Sequence, residues 1–247
     1  MDHLTYCDLL EVEAGRLVAL ATNADVSAPV PSCPDWTVGD LTEHVGLVYR
    51  RVEYWVRVLA PTRISMSDMN LTRAPATAAW LAEGGELVVG RLRASDPDAV
   101  MWAWGEDQHV RFWSRRLVHE TLVHRLDLEL ALGLPSEVDD PVATDAIDEF
   151  LHNVARSGNF SSDVKNLVGD DEVLRFACAH GPTWHIRLHP EGFEFVDSAE
   201  RVDAVLAGPA LALLEVLYRR RDLESSPCTV TGRRELVERW VANSALR

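Results

Sequence analysis

The sequence predicts an α plus α/β protein, in which a helical bundle precedes a smaller domain of mixed strands and helices. Two observations predict this order. Segments with helical spacing fill the first two-thirds of the 247-residue chain, and short alternating segments between turn residues follow. A run of helices followed by strands and helices suggests separate domains. We therefore expect a helical bundle over residues 1–160 and a small α+β domain over residues 165–247.

Five helices are expected in the first domain. The second begins at Thr37, a natural N-cap, and Asp40 stands where the acid of a capping box stands. The fourth follows a short hairpin or irregular link at 100–113, and Gly133 and Pro135 end its helical pattern. The expected helices cover residues 4–22, 37–59, 75–94, 113–133 and 141–156.

Short alternating segments separated by turns such as "HGPT" and "HPEG" predict β-hairpins in the second domain. Two helices should follow, with a strand between them at 228–232. The expected strands before them cover residues 173–179, 184–189, 192–197 and 202–208, and the helices cover 209–220 and 232–243.

Charge and cysteine usage restrict the class of protein. The formal net charge is −15, whereas nucleic acids and anionic membranes are bound by clustered Lys and Arg, so neither is an expected partner. The four cysteines lie far apart without a CxxC pair, and the N-terminus lacks the basic start and apolar run of a signal peptide. The sequence therefore predicts a reduced, cytoplasmic protein.

The predicted helix at 113–133 has two polar sides separated by apolar shoulders. On a helical wheel, Glu120, His124 and Asp127 share one side, whereas Arg125 and Glu129 lie on the opposite side. A surface helix needs only one wet side. We therefore expect Arg125 and Glu129 to face solvent and the Glu120 side to face the interior of the bundle.

The inward side of this helix predicts a metal site. Glu120 and His124 are one turn apart and can converge on one ion, whereas His119 points elsewhere. A zinc site needs a further ligand, and His44 lies on the apolar side of the second helix. Facing helices of a bundle commonly hold metals. A buried hydrogen-bond network of the same residues is the alternative.

Two segments carry a resemblance to a known family. The segment "VPSCPDWTVGDLTEHVGLVYR" (30–50) and the segment "RRLVHETLVHRLDLELALG" (115–133) resemble the two signatures of the mycothiol-dependent maleylpyruvate isomerase-like family. This family belongs to the DinB-like metalloenzyme superfamily. The C-terminal segments "GPALALLEVLYRRR" and "TVTGRRELVERW" are similar to the sterol-carrier-protein-like domain that follows the bundle in many members.

The resemblance implies a four-helix bundle that holds one divalent metal, usually zinc. By position, its ligands are His44, Glu120 and His124, and the low-molecular-weight thiol mycothiol is the implied cosubstrate. The sequence departs from the family pattern at Tyr49, where many members have histidine. This position lies outside the ligand set.

The expected reaction is attack of a metal-activated thiolate on an electrophilic small molecule, either as an S-transferase or as a cis–trans isomerase. Two alternatives remain: a non-catalytic ligand- or partner-binding protein with a structural metal, and a metal-dependent hydrolase. A homodimer is also left open. The candidate catalytic residues are Arg51, Arg116 and Asp127, and the candidate cofactor-binding residues are Trp36, Trp55 and Trp113.

Overall fold

A computed structural model describes residues 1–71, 77–156 and 162–244. Contacts within the chain divide it into two compact units, Met1–Ser136 and Glu137–Arg247. The division falls earlier than the expected boundary at 160–165, part of which lies outside the described residues. The first two residues of the expected third helix, 75 and 76, also lie outside them.

The described part of the N-terminal unit contains four long helices that form a bundle. Helices α1 and α2 each pack against both α3 and α4, so every helix has two neighbours and buries an apolar side between them. This arrangement confirms the predicted bundle. The helices are α1 (His3–Thr22), α2 (Val38–Arg57), α3 (Ala78–Arg93) and α4 (Val110–Ala131).

Helix α2 begins as the sequence predicts. Thr37 caps it, and Thr37 and Asp40 form both hydrogen bonds of a capping box. Farther along, α2 and α3 approach closely, and the Trp80 ring occupies the space where a Cβ at Gly46 would lie. His44 comes two residues earlier and therefore lies on nearly the opposite side of α2 from Gly46. It therefore faces α4.

Helix α4 is buried on both of its polar sides, and the prediction that Arg125 and Glu129 face solvent is wrong. Arg125 is only 2% exposed, and Glu129 is also buried. The cause is helix α1, which packs along this side of α4 while α2 packs along the other. Arg125 Nε donates to Glu13 of α1 (2.6 Å) and Arg125 Nη1 to Glu129 (2.5 Å). The second polar side is therefore a buried ion cluster.

The C-terminal unit is the predicted α+β domain. Its strands form one sheet in the order β3-β2-β1-β4-β5, in which β1 and β4 are parallel and the other pairs are antiparallel. The predicted hairpins are thus confirmed. The elements are α5 (Asp140–Val154), β1 (Val173–Cys178), β2 (Thr183–His189), β3 (Gly192–Val196), β4 (Ala204–Gly208), α6 (Ala210–Leu217), β5 (Thr229–Gly232) and α7 (Arg234–Asn243).

Helix α5 explains why the division between the units comes early. It packs against α6, and its Phe150 ring contacts Tyr218 just after α6, with 4.5 Å between the ring centroids. Trp184 of β2 also donates its indole N–H to Asp148 of α5 (2.9 Å). The fifth helix therefore belongs to the C-terminal unit, where its apolar side is buried. Helix α5 follows the bundle in sequence, and sequence order alone does not indicate which core it joins.

Candidate metal centre

Helices α2 and α4 bring three potential ligands together inside the N-terminal unit. His44 Nε2 lies 3.2 Å from Glu120 Oε1, and His124 Nε2 lies 3.4 Å from the same oxygen. Within the described ranges of the chain, this is the group of His, Cys, Asp and Glu side chains whose ligand atoms all lie within 4.8 Å of one another. The structure thus places the three sequence-predicted ligands side by side.

The spacing of these atoms fits one ion. A tetrahedral zinc ion with bonds of about 2.0–2.1 Å holds its ligand atoms about 3.3 Å apart. The two measured distances to Glu120 Oε1, 3.2 Å and 3.4 Å, agree with that value. Two imidazoles and one carboxylate are also a ligand set used by catalytic zinc, with a fourth position left for water or substrate.

Glu120 is held in its ionised form. Burial alone would raise the pKa of its carboxyl, but hydrogen bonds from His124 and His44 and the charge of Arg116 hold the pKa well below its usual range. Arg116 Nη2 donates to Glu120 Oε2 at 2.6 Å. That oxygen faces the arginine while Oε1 faces the two imidazoles, so Glu120 presents one oxygen to an ion.

Asp127 fixes the orientation of the second imidazole. It is fully buried and accepts from His124 Nδ1 at 2.9 Å. Ser32 Oγ donates to its other oxygen at 2.6 Å, and Cys33 Sγ lies 3.6 Å from the oxygen that accepts from His124. A carboxylate that accepts from Nδ1 leaves Nε2 as the atom that can bind a metal.

The pKa values of the two imidazoles are shifted in opposite directions. Burial lowers the pKa of His124, but hydrogen bonds to Asp127 and Glu120 outweigh burial and raise the pKa to about 9. Burial lowers the pKa of His44, and the hydrogen bond to Glu120 offsets this only in part. Because a ligating imidazole must be neutral, metal binding at neutral pH would release the proton of His124.

The three candidate tryptophans have different positions. The Trp36 ring contacts both imidazoles, with centroids 4.9 Å from His44 and 6.1 Å from His124. Trp55 and Trp113 instead pack against each other, 5.1 Å between centroids, and are almost fully buried. Of the three, only Trp36 has a described ring contact with the triad.

The candidate arginines also separate. Arg116 forms an ion pair with Glu120 of the triad, and its guanidinium carbon lies 5.8 Å from the Trp104 ring centroid. Arg51 lies on α2 two turns after His44 and has no described ion pair. Tyr49 is buried, and its hydroxyl lies 2.9 Å from Thr121 Oγ1. The departure from the family pattern at this position therefore falls in the core between α2 and α4.

Sequence reasoning named Trp36 of the loop before α2 but missed Ser32 and Cys33, which contact Asp127. Residues 28–37 close on themselves, because Val30 and Trp36 share a backbone hydrogen bond of 2.9 Å and Pro29 pairs with Thr37. The closed loop carries Ser32 and Cys33 to Asp127. A proline-rich segment just before an N-cap was the available signal, but it does not show which helix the loop contacts.

Replacement of Asp127 by asparagine is expected to weaken zinc binding about 10- to 100-fold. The amide keeps the shape of the carboxylate but loses its charge. Its NH₂ group replaces one oxygen and must therefore face a donor, either Ser32 Oγ or His124 Nδ1. Zinc competition with a chelator measures the change. Ser32→Ala, which removes one of the described bonds to Asp127, should show a smaller loss. Equal zinc affinity of Asp127→Asn and the unmodified protein would contradict this role for Asp127.

The fold and the site together define a class: a helical bundle with a two-histidine, one-carboxylate group between two helices, followed by a small α+β unit. Residues 7–129 match the family described as mycothiol maleylpyruvate isomerase N-terminal domain. The N-terminal half of the chain therefore belongs to this family, which confirms the resemblance found in the sequence. His44, Glu120 and His124 all fall within the matched residues.

Solved structures show the same fold. The chain is similar to a crystal structure of the mycothiol-dependent maleylpyruvate isomerase, with 14% identity, a TM-score of 0.57 and 93% of each chain covered. A histidine-to-alanine mutant of that enzyme matches at 13% identity with the same TM-score and coverage. Both proteins span the two units of this chain.

A third structure, described as UbiJ-SCP2 Ubiquinone synthesis protein, covers 42% of this chain and 94% of its own at 19% identity. Its TM-score of 0.32 is too low to define a common fold, so the sterol-carrier-protein-like assignment of the C-terminal unit stays a prediction. No curated protein matches the sequence. In the described part of the chain, no helix is long and apolar enough to cross a membrane.

Proposed function

We propose that this protein is a metal-dependent enzyme that uses mycothiol to act on an electrophilic small molecule, as a cis–trans isomerase or an S-transferase. The observation that carries the proposal is the convergence of His44, Glu120 and His124 within the segment that matches the family. The proposed ion is divalent, and zinc suits two imidazoles and a carboxylate.

The bound ion would lower the pKa of a coordinated thiol, so that the reactive thiolate is present at neutral pH. The chain's own residues would prepare this position. His44, Glu120 and His124 hold the ion, Arg116 keeps Glu120 ionised, and Asp127 fixes the ring of His124.

In either reaction the sulfur forms a bond to an electrophilic carbon of the substrate. In a transferase that carbon–sulfur bond persists in the product, and the bond to the leaving group breaks with its electron pair going to that group. In an isomerase the thiolate adds to an activated carbon–carbon double bond, whose π electrons move onto the conjugated carbonyl. Rotation about the resulting single bond follows, the π electrons return, and the same carbon–sulfur bond breaks, which regenerates the thiolate. The ring of Trp36 covers one side of the two imidazoles and would limit the approach of water on that side.

The state of the cysteines also suits this chemistry. None of the four cysteines, Cys7, Cys33, Cys178 and Cys228, is part of a disulfide, as expected in a reducing compartment. We therefore place the enzyme in the cytoplasm, where a low-molecular-weight thiol cosubstrate would be available in reduced form.

The test follows substrate and thiol together, with zinc-loaded protein, with protein stripped by a chelator, and with stripped protein to which zinc is returned. Maleylpyruvate is the first substrate and a panel of alkylating electrophiles is the second. We expect turnover only with both metal and mycothiol. Loss of thiol in step with product identifies a transferase, whereas a constant thiol concentration identifies an isomerase.

The alternatives give different results in the same assay. A product that forms with zinc but without thiol would overturn the proposal in favour of a metal-dependent hydrolase. Equal turnover by stripped and zinc-loaded protein would also overturn it. Absence of turnover with every electrophile, although zinc is bound, would favour a binding protein with a structural metal.

A further inference from the structure

Arg51 and Arg63 carry positive charges that form no ion pair with a described carboxylate. Arg51 Nε donates weakly to the backbone oxygen of Leu47 (3.4 Å). Within residues 1–71, 77–156 and 162–244, neither arginine has a described ion pair. For the half-buried Arg51 this is unusual in a chain with 39 acidic and 24 basic residues, because most of the other interior cations, such as Arg116, are paired.

Arg51 points toward the triad. It lies seven residues after His44 on α2, which is two helical turns and therefore the same side of the helix. Burial lowers the pKa of Arg51, the charge of Glu120 partly offsets this, and the charge of Arg63 lowers it further. Both charges therefore act on Arg51, which is itself half-buried.

The loop after α2 brings Arg63 back toward the helix that carries Arg51. Trp55, one turn beyond Arg51, donates its indole N–H to the backbone oxygen of Ile64 (3.3 Å). The N–H of Ala60 donates to the backbone oxygen of Trp55 (3.0 Å). The chain therefore folds back along the last turns of α2, and Arg63 precedes the anchored Ile64 by one residue.

The acids of the site have other tasks. Glu120 faces Arg116 and the two imidazoles, and Asp127 faces His124 and Ser32. A divalent ion would add two further positive charges beside Arg51. A locally positive region on a chain of net charge −15 attracts anionic small molecules and orients them.

We propose that Arg51 and Arg63 form an anion subsite beside the metal centre and that it takes a carboxylate of the electrophile. Arg51 makes the principal contact, since its half-buried guanidinium matches a carboxylate with two parallel N–H groups. Arg63, which is exposed, adds charge at the outer end. The assignment of this carboxylate to the electrophile rests on the proposed function.

The test is calorimetric titration of the full-length, zinc-loaded protein with succinate and with its neutral diamide, succinamide. Neither compound reacts with thiols, so binding is measured without turnover. We expect the unmodified protein to bind succinate and to bind succinamide more weakly. Arg51→Gln should weaken succinate binding at least tenfold, in the range of a lost charge-assisted contact, and Arg63→Gln about threefold.

Arg57→Gln is the matched control. Arg57 lies on the same helix but is paired with Glu53, 3.3 Å away, and stacked on Tyr54. Its replacement should leave succinate binding unchanged. Zinc content is measured for every variant, and a variant that keeps its zinc has kept the triad.

Three outcomes overturn the subsite. The first is that the unmodified protein does not bind succinate. The second is that Arg51→Gln binds succinate as tightly as the unmodified protein, and the third is that Arg51→Gln loses affinity for succinate and for succinamide to the same extent. Mycothiol that displaces succinate would overturn its assignment to the electrophile. Because none of these measurements requires turnover, the subsite can fail while the thiol chemistry holds. The thiol chemistry can likewise fail while the subsite holds.

Discussion

Replacement of His44 by alanine should lower the zinc content of the purified protein from about one ion per chain to near zero. His44 supplies one of the three ligand atoms, and the two left on α4 are too few for a tight site. Metal-dependent turnover should fall about a thousandfold or more, because a bound ion stabilises the charge of the transition state by several kcal/mol. Elemental analysis and the thiol assay measure the two effects.

The structure makes this variant informative, because His44 is on the edge of the site. Its side chain is 31% exposed, so truncation leaves little empty space in the core. A normal circular dichroism spectrum is therefore expected, and a loss of zinc would not come from unfolding. His180→Ala is the control, since His180 lies exposed in a turn of the C-terminal unit. Unchanged zinc in His44→Ala would remove the triad as the metal site.

The spacing of residues on α4 was enough to predict that Glu120 and His124 share one side of the helix. Glu120 and His124 are one turn apart on an α-helix wherever that helix lies, and His119 must then point away. In the structure the fully buried His119 faces the ring of Tyr6, 6.4 Å away. The sequence also predicted correctly that His44 lies on the inward side of α2, because the apolar stripe of this helix is continuous and its N-cap signal is strong.

The same helical wheel failed for Arg125 because it describes one helix at a time. A polar side predicts water only when no second helix covers it, and Glu13, the partner that allows Arg125 to be buried, lies 112 residues earlier in the chain. Ser32 was missed for a related reason. Its contact with Asp127 depends on how a loop closes over α4, and that contact leaves no periodic signal in the sequence.

The cluster around Arg125 leads to the second large prediction. Arg125→Met is expected to lower the free energy of unfolding of the N-terminal unit by about 3–5 kcal/mol. Burial opposes the charge of Arg125, but Glu13 and Glu129 outweigh burial and raise its pKa. Without the guanidinium, the buried Glu129 loses its described cation, and the buried Glu13 keeps only the exposed Arg16, 3.1 Å away. Urea unfolding followed by tryptophan fluorescence measures the loss.

Fluorescence is suited to the N-terminal unit, because six of the eight tryptophans lie in it. The other two, Trp184 and Trp240, lie in the C-terminal unit. Arg93→Met is the matched control. Arg93 of α3 also bridges two acids of α1, Asp8 and Glu11, each at 2.7 Å, but the acids are exposed. Water replaces the lost cation there, and we expect a loss of about 1 kcal/mol or less.

A compensating variant separates charge from packing. If uncompensated charge causes the loss, then Glu13→Gln and Glu129→Gln added to Arg125→Met should recover much of the stability, although each alone removes a native contact. If the long side chain matters only as packing, the triple variant should be no more stable than Arg125→Met. Equal losses for Arg125→Met and Arg93→Met would show that burial of this cluster contributes nothing to stability beyond an exposed ion pair.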